Sequence, residues 1–262
     1  MPEYQHWLLT KQGHVATLTL NRPDAKNSLT LETLSELRAV TADLGADGDA
    51  WVVVVQGQGD HFCIGVEVSV SQWVASRPEP LYRETLREMQ RALDEFEALE
   101  KPTIARIQGF CISAGLLLAL CCDLRVASER TVFSLPEVKL GLGVVMGTQR
   151  VVRAAGIAAA KKLILLGERF DAEAALGYGL VHQVVPPEQV DAAVSALTGK
   201  LLKLPPRTLG LSKRLINQGY ALSLRESQDL EIDAQAELLD SPDFQEALAS
   251  FLEKRPARYR GK

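Results

Sequence analysis

Apolar and polar positions in the first part of the chain follow strand and helix periodicities in turn. Residues 14–20 (HVATLTL) alternate apolar and polar side chains, as in a half-buried strand, and residues 51–55 form the continuous apolar run of a strand buried on both faces. Between them, Thr30 precedes apolar residues at helical spacing, which predicts a capped helix. The order strand, helix, strand favours a mixed α/β fold with crossover connections.

The last part of the chain has helical periodicity almost throughout. The pattern predicts helices over residues 186–204, 207–218, 223–239 and 241–254. The Pro205-Pro206 pair predicts a boundary between a core of residues 1–204 and a helical region of residues 205–262. The apolar residues of this region are not enough to form a continuous packed core by themselves. We therefore expect the region to complete its core against another subunit.

Residues 101–156 carry the pattern with most chemical content. A β-branched run at residues 103–107 leads through Gly109 to an apolar segment at residues 116–122 without strand-like alternation, which predicts a strand, a tight turn and a buried helix. Ser113 is the expected N-cap of that helix. The amide groups that follow it, together with the positive end of the helix dipole, are predicted to form an anion site.

Glu137 follows a second strand-like run, at residues 131–135, and stands among apolar residues. A carboxyl group in such surroundings is suited to proton transfer. The chain thus contains two parts that enolate chemistry needs, which are main-chain donors directed at an oxyanion and a nearby acid or base. On residue patterns alone, a surface glutamate in the first turn of a helix remains the alternative interpretation.

Composition and charge give no support for a nucleic-acid-binding, membrane or secreted protein. The chain has 262 residues, 47% of them hydrophobic, which is enough for one large core, and its net charge of −4 gives no reason to expect nucleic acid or an anionic membrane as a partner. The first residues lack the pattern of a secretion signal, and no apolar run is long enough for a membrane span. We expect a soluble cytoplasmic protein.

Cysteine and histidine spacing predicts no metal site. The four cysteines do not form a CxxC pair, and the four histidines do not form a His-x-x-x-His pair. We therefore expect the cysteines to be buried thiols in a reducing compartment.

Seven motifs occur in order along nearly the whole chain. They are LNRP (20–23), HFCIGVE (61–67), KPTIA (101–105) continuing to the Cys-Asp pair at 122–123, FSLPEVKLG (133–141), GTQR (147–150), AALGYGLV (174–181) and FLEKR (251–255). This series resembles the crotonase superfamily, the enoyl-CoA hydratase and isomerase enzymes. The resemblance implies a spiral of β-β-α repeats and a C-terminal helical region that packs homotrimers, which sometimes pair into hexamers.

The resemblance also assigns roles to individual residues. It implies that the N–H groups of Val66 and Ala114 bind the thioester carbonyl as an oxyanion hole, and that Glu137 is the catalytic residue. The substrate would be a coenzyme A thioester, and no separate cofactor is expected.

Binding of coenzyme A is implied for three positions, Ala25, Lys26 and Ile64. Tyr259 or Lys262, near the C-terminus, is a further candidate that would contact the coenzyme A of a neighbouring subunit.

The reaction depends on a position where this chain departs from the hydratases. Hydratases of the family use two glutamates, because one group activates water while the other delivers a proton to carbon. The first of these positions is Leu117 here, and Glu137 alone remains. A single glutamate suits Δ3-to-Δ2 enoyl-CoA isomerisation, in which one carboxyl group moves a proton from the α to the γ carbon.

Other functions remain open from the sequence. The same oxyanion hole could serve hydration with an unrecognised second group such as Glu67, or hydrolysis or decarboxylation of an acyl-CoA. A different class is a crotonase-fold protein that only binds coenzyme A or RNA. The acidic composition disfavours RNA, and retention of Glu137 favours catalysis.

Overall fold

Two β-sheets and ten α-helices make up the computed structural model, which describes residues 4–261. In chain order the elements are β1 (Trp7–Gln12), β2 (Val15–Leu20), α1 (Leu31–Ala46), β3 (Val52–Gly57), α2 (Val68–Ala75), α3 (Glu79–Glu97), β4 (Thr103–Ile107), β5 (Phe110–Ile112), α4 (Ala114–Leu120), β6 (Leu124–Ser128), β7 (Val132–Ser134), α5 (Thr148–Leu166), β8 (Arg169–Phe170), α6 (Ala172–Gly177), β9 (Gln183–Val185), α7 (Val190–Leu201), α8 (Pro206–Gly219), α9 (Leu224–Leu239) and α10 (Pro242–Glu253). The predicted α/β class is confirmed.

The larger sheet has the strand order β1-β2-β3-β4-β6-β9. Only the β1–β2 pair is antiparallel; the other pairs are parallel and are joined by crossovers that contain helices. β3 lies in the middle and its four consecutive valines are buried, as expected of a strand covered on both faces. The smaller sheet has the order β5-β7-β8. Its first strand, β5, is followed by α4 after a single residue.

Helix α1 shows how local sequence produces an element that packs on the core. Thr30 caps it with its side chain, and Thr33 completes a capping box by accepting from the Thr30 N–H. The buried face of α1 packs against α3, whose buried face includes Met89, Leu93 and Phe96. This pairing covers one side of the larger sheet with apolar side chains.

Several elements differ from the sequence prediction. The edge strand β1 was not expected, because its outer residues are polar and exposed. Residues 68–75, for which the sequence pattern predicts no element, form α2. The apolar spacing of residues 157–166 predicts a helix; α5 includes this stretch but starts earlier, at Thr148, and contains Gly156 at φ 77°, where the helical backbone is interrupted.

The C-terminal region is helical as predicted. Helix α8 begins at Pro206, and the capping box of Ser223 and Glu226 opens α9. The backbone N–H groups of Arg260 and Gly261 donate to the Asp243 carboxylate at the start of α10, which holds the final segment against that helix. Within residues 4–261, no helix combines the length and the apolar character needed to cross a bilayer.

Candidate active site

The start of α4 is the centre of the candidate site. Strand β5 ends at Ile112, and Ser113 then turns the chain into α4 with φ 54° and ψ −130°. The Ser113 N–H donates to the Ser134 carbonyl of β7 over 2.8 Å. The next amide, that of Ala114, has no acceptor in the described part of the chain, because it belongs to the first residue of the helix.

A second loop lies against this turn. The Cys63 N–H donates to the Phe110 carbonyl, and the Ile112 N–H donates to the Cys63 carbonyl, so residues 63–65 run alongside β5. Gly65 has φ 95°, and a Cβ atom there would lie 2.6 Å from the Cβ of Ser113. A Cβ at Gly115 would lie 2.3 Å from the Cys63 carbonyl oxygen. The two backbones can approach this closely only because both positions are glycine.

Val66 directly follows the contact between Gly65 and Ser113. Its neighbours are fixed by Leu29, whose N–H donates to the Gly65 carbonyl and whose carbonyl accepts from the Glu67 N–H. The Val66 N–H itself has no acceptor among residues 4–261. Gly65 and Ser113 are in direct contact, and each is followed by a residue whose amide has no acceptor in the described residues, Val66 and Ala114 respectively. Two such neighbouring amides can bind an oxyanion.

Glu137 lies in a short 3₁₀ turn, Pro136–Leu140, directly after β7. The Ser113 hydroxyl donates to its Oε1 atom over 2.8 Å. Its Oε2 atom is buried and has no hydrogen-bond partner in the described residues. The carboxyl group thus lies beside the turn that leads into the Ala114 amide, and one of its oxygens is left to accept a proton.

The predicted capping role of the Ser113 side chain is wrong. Its hydroxyl makes no capping hydrogen bond to α4 and bonds to Glu137 instead. An N-cap residue usually has extended backbone dihedrals that direct its side chain to the first-turn amides, and the positive φ of Ser113 prevents this geometry.

Leu117, the position where the resemblance leads us to expect the other hydratase glutamate, lies buried in α4. Its side chain is 1% exposed, and a Cβ atom at Gly147 would lie 2.7 Å from Leu117 Cδ2. The leucine thus packs directly against the backbone that precedes α5. The contact is apolar, and a leucine side chain offers no hydrogen bond to a water molecule.

Glu67, the candidate second group for hydration, is already hydrogen-bonded to other side chains. Its Oε1 atom lies 2.7 Å from Arg22 Nη2 and accepts from the Ser28 hydroxyl over 2.9 Å. Ser69 donates to the other oxygen over 3.1 Å. Hydrogen bonding from Arg22 holds the pKa of the Glu67 carboxyl below its usual range, so this group stays ionised and cannot deliver a proton near neutral pH.

The residues predicted to bind coenzyme A lie on loops that join this site. Ala25 ends a 3₁₀ turn, and Lys26 follows it. The Lys26 Nζ atom lies 5.8 Å from the centre of the Phe110 ring. Ile64 is half-buried and precedes Gly65. Asn27 was not predicted from the sequence; its buried side chain donates to the carbonyls of Gln58 and His61. Its place after a proline turn, in a conformation that asparagine tolerates, was the available signal.

Other predicted groups lie away from this chemistry or outside the described residues. All four cysteines are buried free thiols, as predicted. In the part of the chain that the structure covers, no group of three or more His, Cys, Asp and Glu side chains could hold a metal ion. Tyr259 belongs to the final segment beside α10, and Lys262 falls outside the described residues.

Known proteins share both the sequence pattern and the fold. The enoyl-CoA hydratase/isomerase family model matches residues 10–262. Crotonyl-CoA hydratase of Syntrophomonas wolfei is 33% identical over 258 residues, which are 98% of each chain. (E)-Benzylidenesuccinyl-CoA hydratase of Thauera aromatica is 35% identical over 97% of this chain and 98% of its own. The crystal structure of an enoyl-CoA hydratase from Bacillus anthracis superposes with a TM-score of 0.91 at 31% identity, covering 98% of this chain and all of that one.

Proposed function

We propose, from the premise that this chain belongs to the enoyl-CoA hydratase/isomerase family, that it is a Δ3-to-Δ2 enoyl-CoA isomerase with one carboxyl group as proton shuttle. In this proposal the N–H groups of Val66 and Ala114 bind the thioester oxygen, and Glu137 moves the proton. Membership of the family confirms the crotonase resemblance and makes the chain an acyl-CoA enzyme. The particular reaction is our inference.

One observation carries the choice of reaction. Glu137 has a buried oxygen with no hydrogen-bond partner among residues 4–261, whereas the position that the resemblance gives to the other hydratase glutamate is the packed Leu117. Adding water to a double bond needs groups that orient water, deprotonate it and protonate carbon. Moving a proton between two carbons of one substrate needs a single base that becomes the acid. A lone carboxyl group in an apolar setting therefore favours isomerisation.

The proposed reaction gives each of these groups one step. Ala25, Lys26 and Ile64 would hold coenzyme A so that the thioester carbonyl reaches the two amides. Glu137 then removes a proton from the α carbon, and the electron pair of the C–H bond moves into the carbonyl as an enolate that the amides stabilise. The same carboxyl group returns the proton to the γ carbon, and the double bond moves into conjugation with the carbonyl.

Hydration of a 2-enoyl-CoA is the second candidate, because the relatives compared above carry hydratase names. It would require a second water-activating group. Leu117 cannot serve, and both carboxylate oxygens of Glu67 are already bonded to Arg22, Ser28 or Ser69. Hydrolysis or decarboxylation of an acyl-CoA could use the same amides, and a protein that only binds coenzyme A or RNA is the non-catalytic alternative.

Replacement of Glu137 tests the proposal. Purified wild-type protein is assayed with a 3-enoyl-CoA, a 2-enoyl-CoA and a malonyl-type thioester, and we expect turnover of the first to exceed that of the others. Glu137→Gln should lower kcat for isomerisation by at least about 10³-fold, because glutamine cannot accept the proton. Glu129→Gln, which changes an exposed glutamate elsewhere, should keep the wild-type rate.

Full activity of Glu137→Gln would remove this residue from the mechanism. Faster turnover of the 2-enoyl-CoA than of the 3-enoyl-CoA would instead assign the chain to the hydratases. Tight binding of coenzyme A thioesters without turnover of any of them would favour the non-catalytic alternative.

We also propose that the protein works as a homotrimer or a pair of trimers. Large apolar side chains on α9 and α10 are exposed in the isolated chain, and they include Ile232, Leu248, Phe251 and Leu252. Such a surface is more extensive than single scattered apolar residues and is typical of a subunit interface.

A further inference from the structure

Ser113 has a backbone conformation that suits glycine rather than serine. Its dihedrals, φ 54° and ψ −130°, lie in a region that L-residues rarely adopt, and a side chain there strains the backbone. The neighbouring chain also has to make room for this side chain, since Gly65 leaves no space for a Cβ atom of its own beside Ser113. A serine at this point therefore needs a compensating role for its hydroxyl group.

The hydroxyl group has one specific contact. It donates to Glu137 Oε1 over 2.8 Å and does not cap α4. The other carboxylate oxygen, Oε2, is buried and has no hydrogen-bond partner within residues 4–261. Because the two oxygens of a free carboxylate are equivalent, this contact is what distinguishes them.

We propose that Ser113 is a positioning residue that holds Glu137 through Oε1, so that Oε2 is the oxygen that exchanges the substrate proton. This inference rests on the proposed function. Oε2 takes the proton from the α carbon while the C–H electron pair moves into the enolate. It then gives the same proton to the γ carbon, where the π electrons of the former β,γ double bond form the new C–H bond, while the enolate electrons form the α,β double bond and the carbonyl is restored. The serine keeps its own proton throughout and does not touch the substrate.

Two substitutions separate the hydroxyl group from the backbone conformation. Ser113→Ala removes the hydroxyl and keeps the strained Cβ, whereas Ser113→Gly removes both. We expect each to lower kcat for cis-3-hexenoyl-CoA by roughly 10- to 100-fold, the worth of one hydrogen bond to a charged group. KM should change by less than about threefold, because the hydroxyl acts on Glu137 and not on the bound thioester.

Thermal melting distinguishes the proposed role of the Ser113 hydroxyl from a purely structural role, in which stability and rate would change together. The glycine variant should melt at a higher temperature than the alanine variant, since only glycine is unstrained at this φ, and yet it should be equally slow. Ser134→Ala is the matched control. It removes a buried hydroxyl on β7 that bonds to the Gly167 carbonyl and not to Glu137, and it should keep the wild-type kcat.

The proposal is overturned if both variants of Ser113 keep the wild-type kcat. It is also overturned if glycine restores the rate and alanine does not, since the backbone alone would then set the rate.

Deuterium exchange at the α carbon of hexanoyl-CoA separates these results from a failure of the proposed function. Exchange by the wild-type protein without isomerisation would reject the isomerase assignment alone, and the exchange rates of the Ser113 variants would then decide the role of the serine. A wild-type protein with neither exchange nor isomerisation would reject both proposals.

Discussion

Gly65 shows how much of the candidate site depends on a single missing side chain. Its backbone has φ 95° and lies against Ser113 so closely that any Cβ atom would overlap with the serine. The contact sets the separation between the loop that carries Val66 and the start of α4. A side chain at position 65 would thus both strain its own backbone and push the two proposed oxyanion donors apart.

Gly65→Ala is expected to lower kcat by about 10²-fold or more, comparable to the loss of one oxyanion donor. Gly13→Ala is the matched control, because Gly13 also has a positive φ, 57°, but nothing lies within 4 Å of its Cβ position. Both variants should be less stable than wild type, and only the first should have a lowered kcat. Steady-state kinetics and thermal melting measure the two effects, and an active Gly65→Ala would contradict the assigned contact.

The sequence anticipates the individual residues of the site better than their contacts. The carboxyl group at position 137 follows from the local pattern of the chain, and the resemblance points to Val66 and Ala114. The hydrogen bond from Ser113 to Glu137 joins residues 24 positions apart and depends on an unusual backbone conformation, which no periodicity reports. The buried Asn27 escaped notice for a similar reason, since its partners lie on another loop.

At the scale of elements, an ion pair joins two loops. Arg22 lies in the loop between β2 and α1, and Glu67 lies in the loop between β3 and α2. Hydrogen bonding from Arg22 holds the pKa of Glu67 below its usual value of 4.5. The folded chain therefore keeps this carboxylate ionised more readily than the unfolded chain does. Its stabilising contribution is complete above pH 4.5 and is lost as the pH falls through the lower, folded-state pKa.

Glu67→Gln should lower the free energy of unfolding at pH 7 by about 1 kcal/mol, the magnitude of a partly exposed ion pair with supporting hydrogen bonds. The difference in melting temperature between this variant and wild type should shrink as the pH is lowered below 4.5, because Glu67 then becomes protonated. Glu129→Gln serves as the control. A difference that stays constant over this range would show that the ion pair does not contribute to folding.

Elements with one dominant period are predicted well from the sequence. The valine run of β3 and the capped amphipathic helices α1, α9 and α10 appear within a few residues of their expected bounds. β1 is harder to predict because an edge strand has few buried residues, and it is recognised only through its pairing with β2. The early start of α5 depends on a glycine interruption that the helix tolerates within the fold.

At the scale of the molecule, the exposed side chains of α9 and α10 require an explanation. Phe251 is 81% exposed and Leu252 is 70% exposed in the single chain, although both belong to the second half of a regular helix. Burying such side chains would contribute about 25 cal/mol per Å² of apolar surface removed from water. Association of subunits through this region would account for them, in agreement with the proposed trimer.

Phe251→Asp is expected to shift the protein from trimers or hexamers to monomers, because the interface would have to bury an unpaired charge. Light scattering coupled to size-exclusion chromatography measures the mass directly. Leu8→Asp, at a 42% exposed position on the edge strand β1, is the control and should leave the assembly unchanged. A monomeric wild-type chain would contradict the proposal, as would a Phe251→Asp variant of unchanged mass.

The main-chain origin of the two unbonded amides has a practical consequence for mutagenesis. Alanine scanning alters side chains and leaves every amide in place, so a scan across residues 60–120 would pass over Val66 and Ala114 while it detected glycines that appear merely structural. Replacing either amide by an ester, through chemical ligation or an α-hydroxy acid, would delete a single donor atom. Half of the chemistry proposed for this protein is accessible only to such backbone editing.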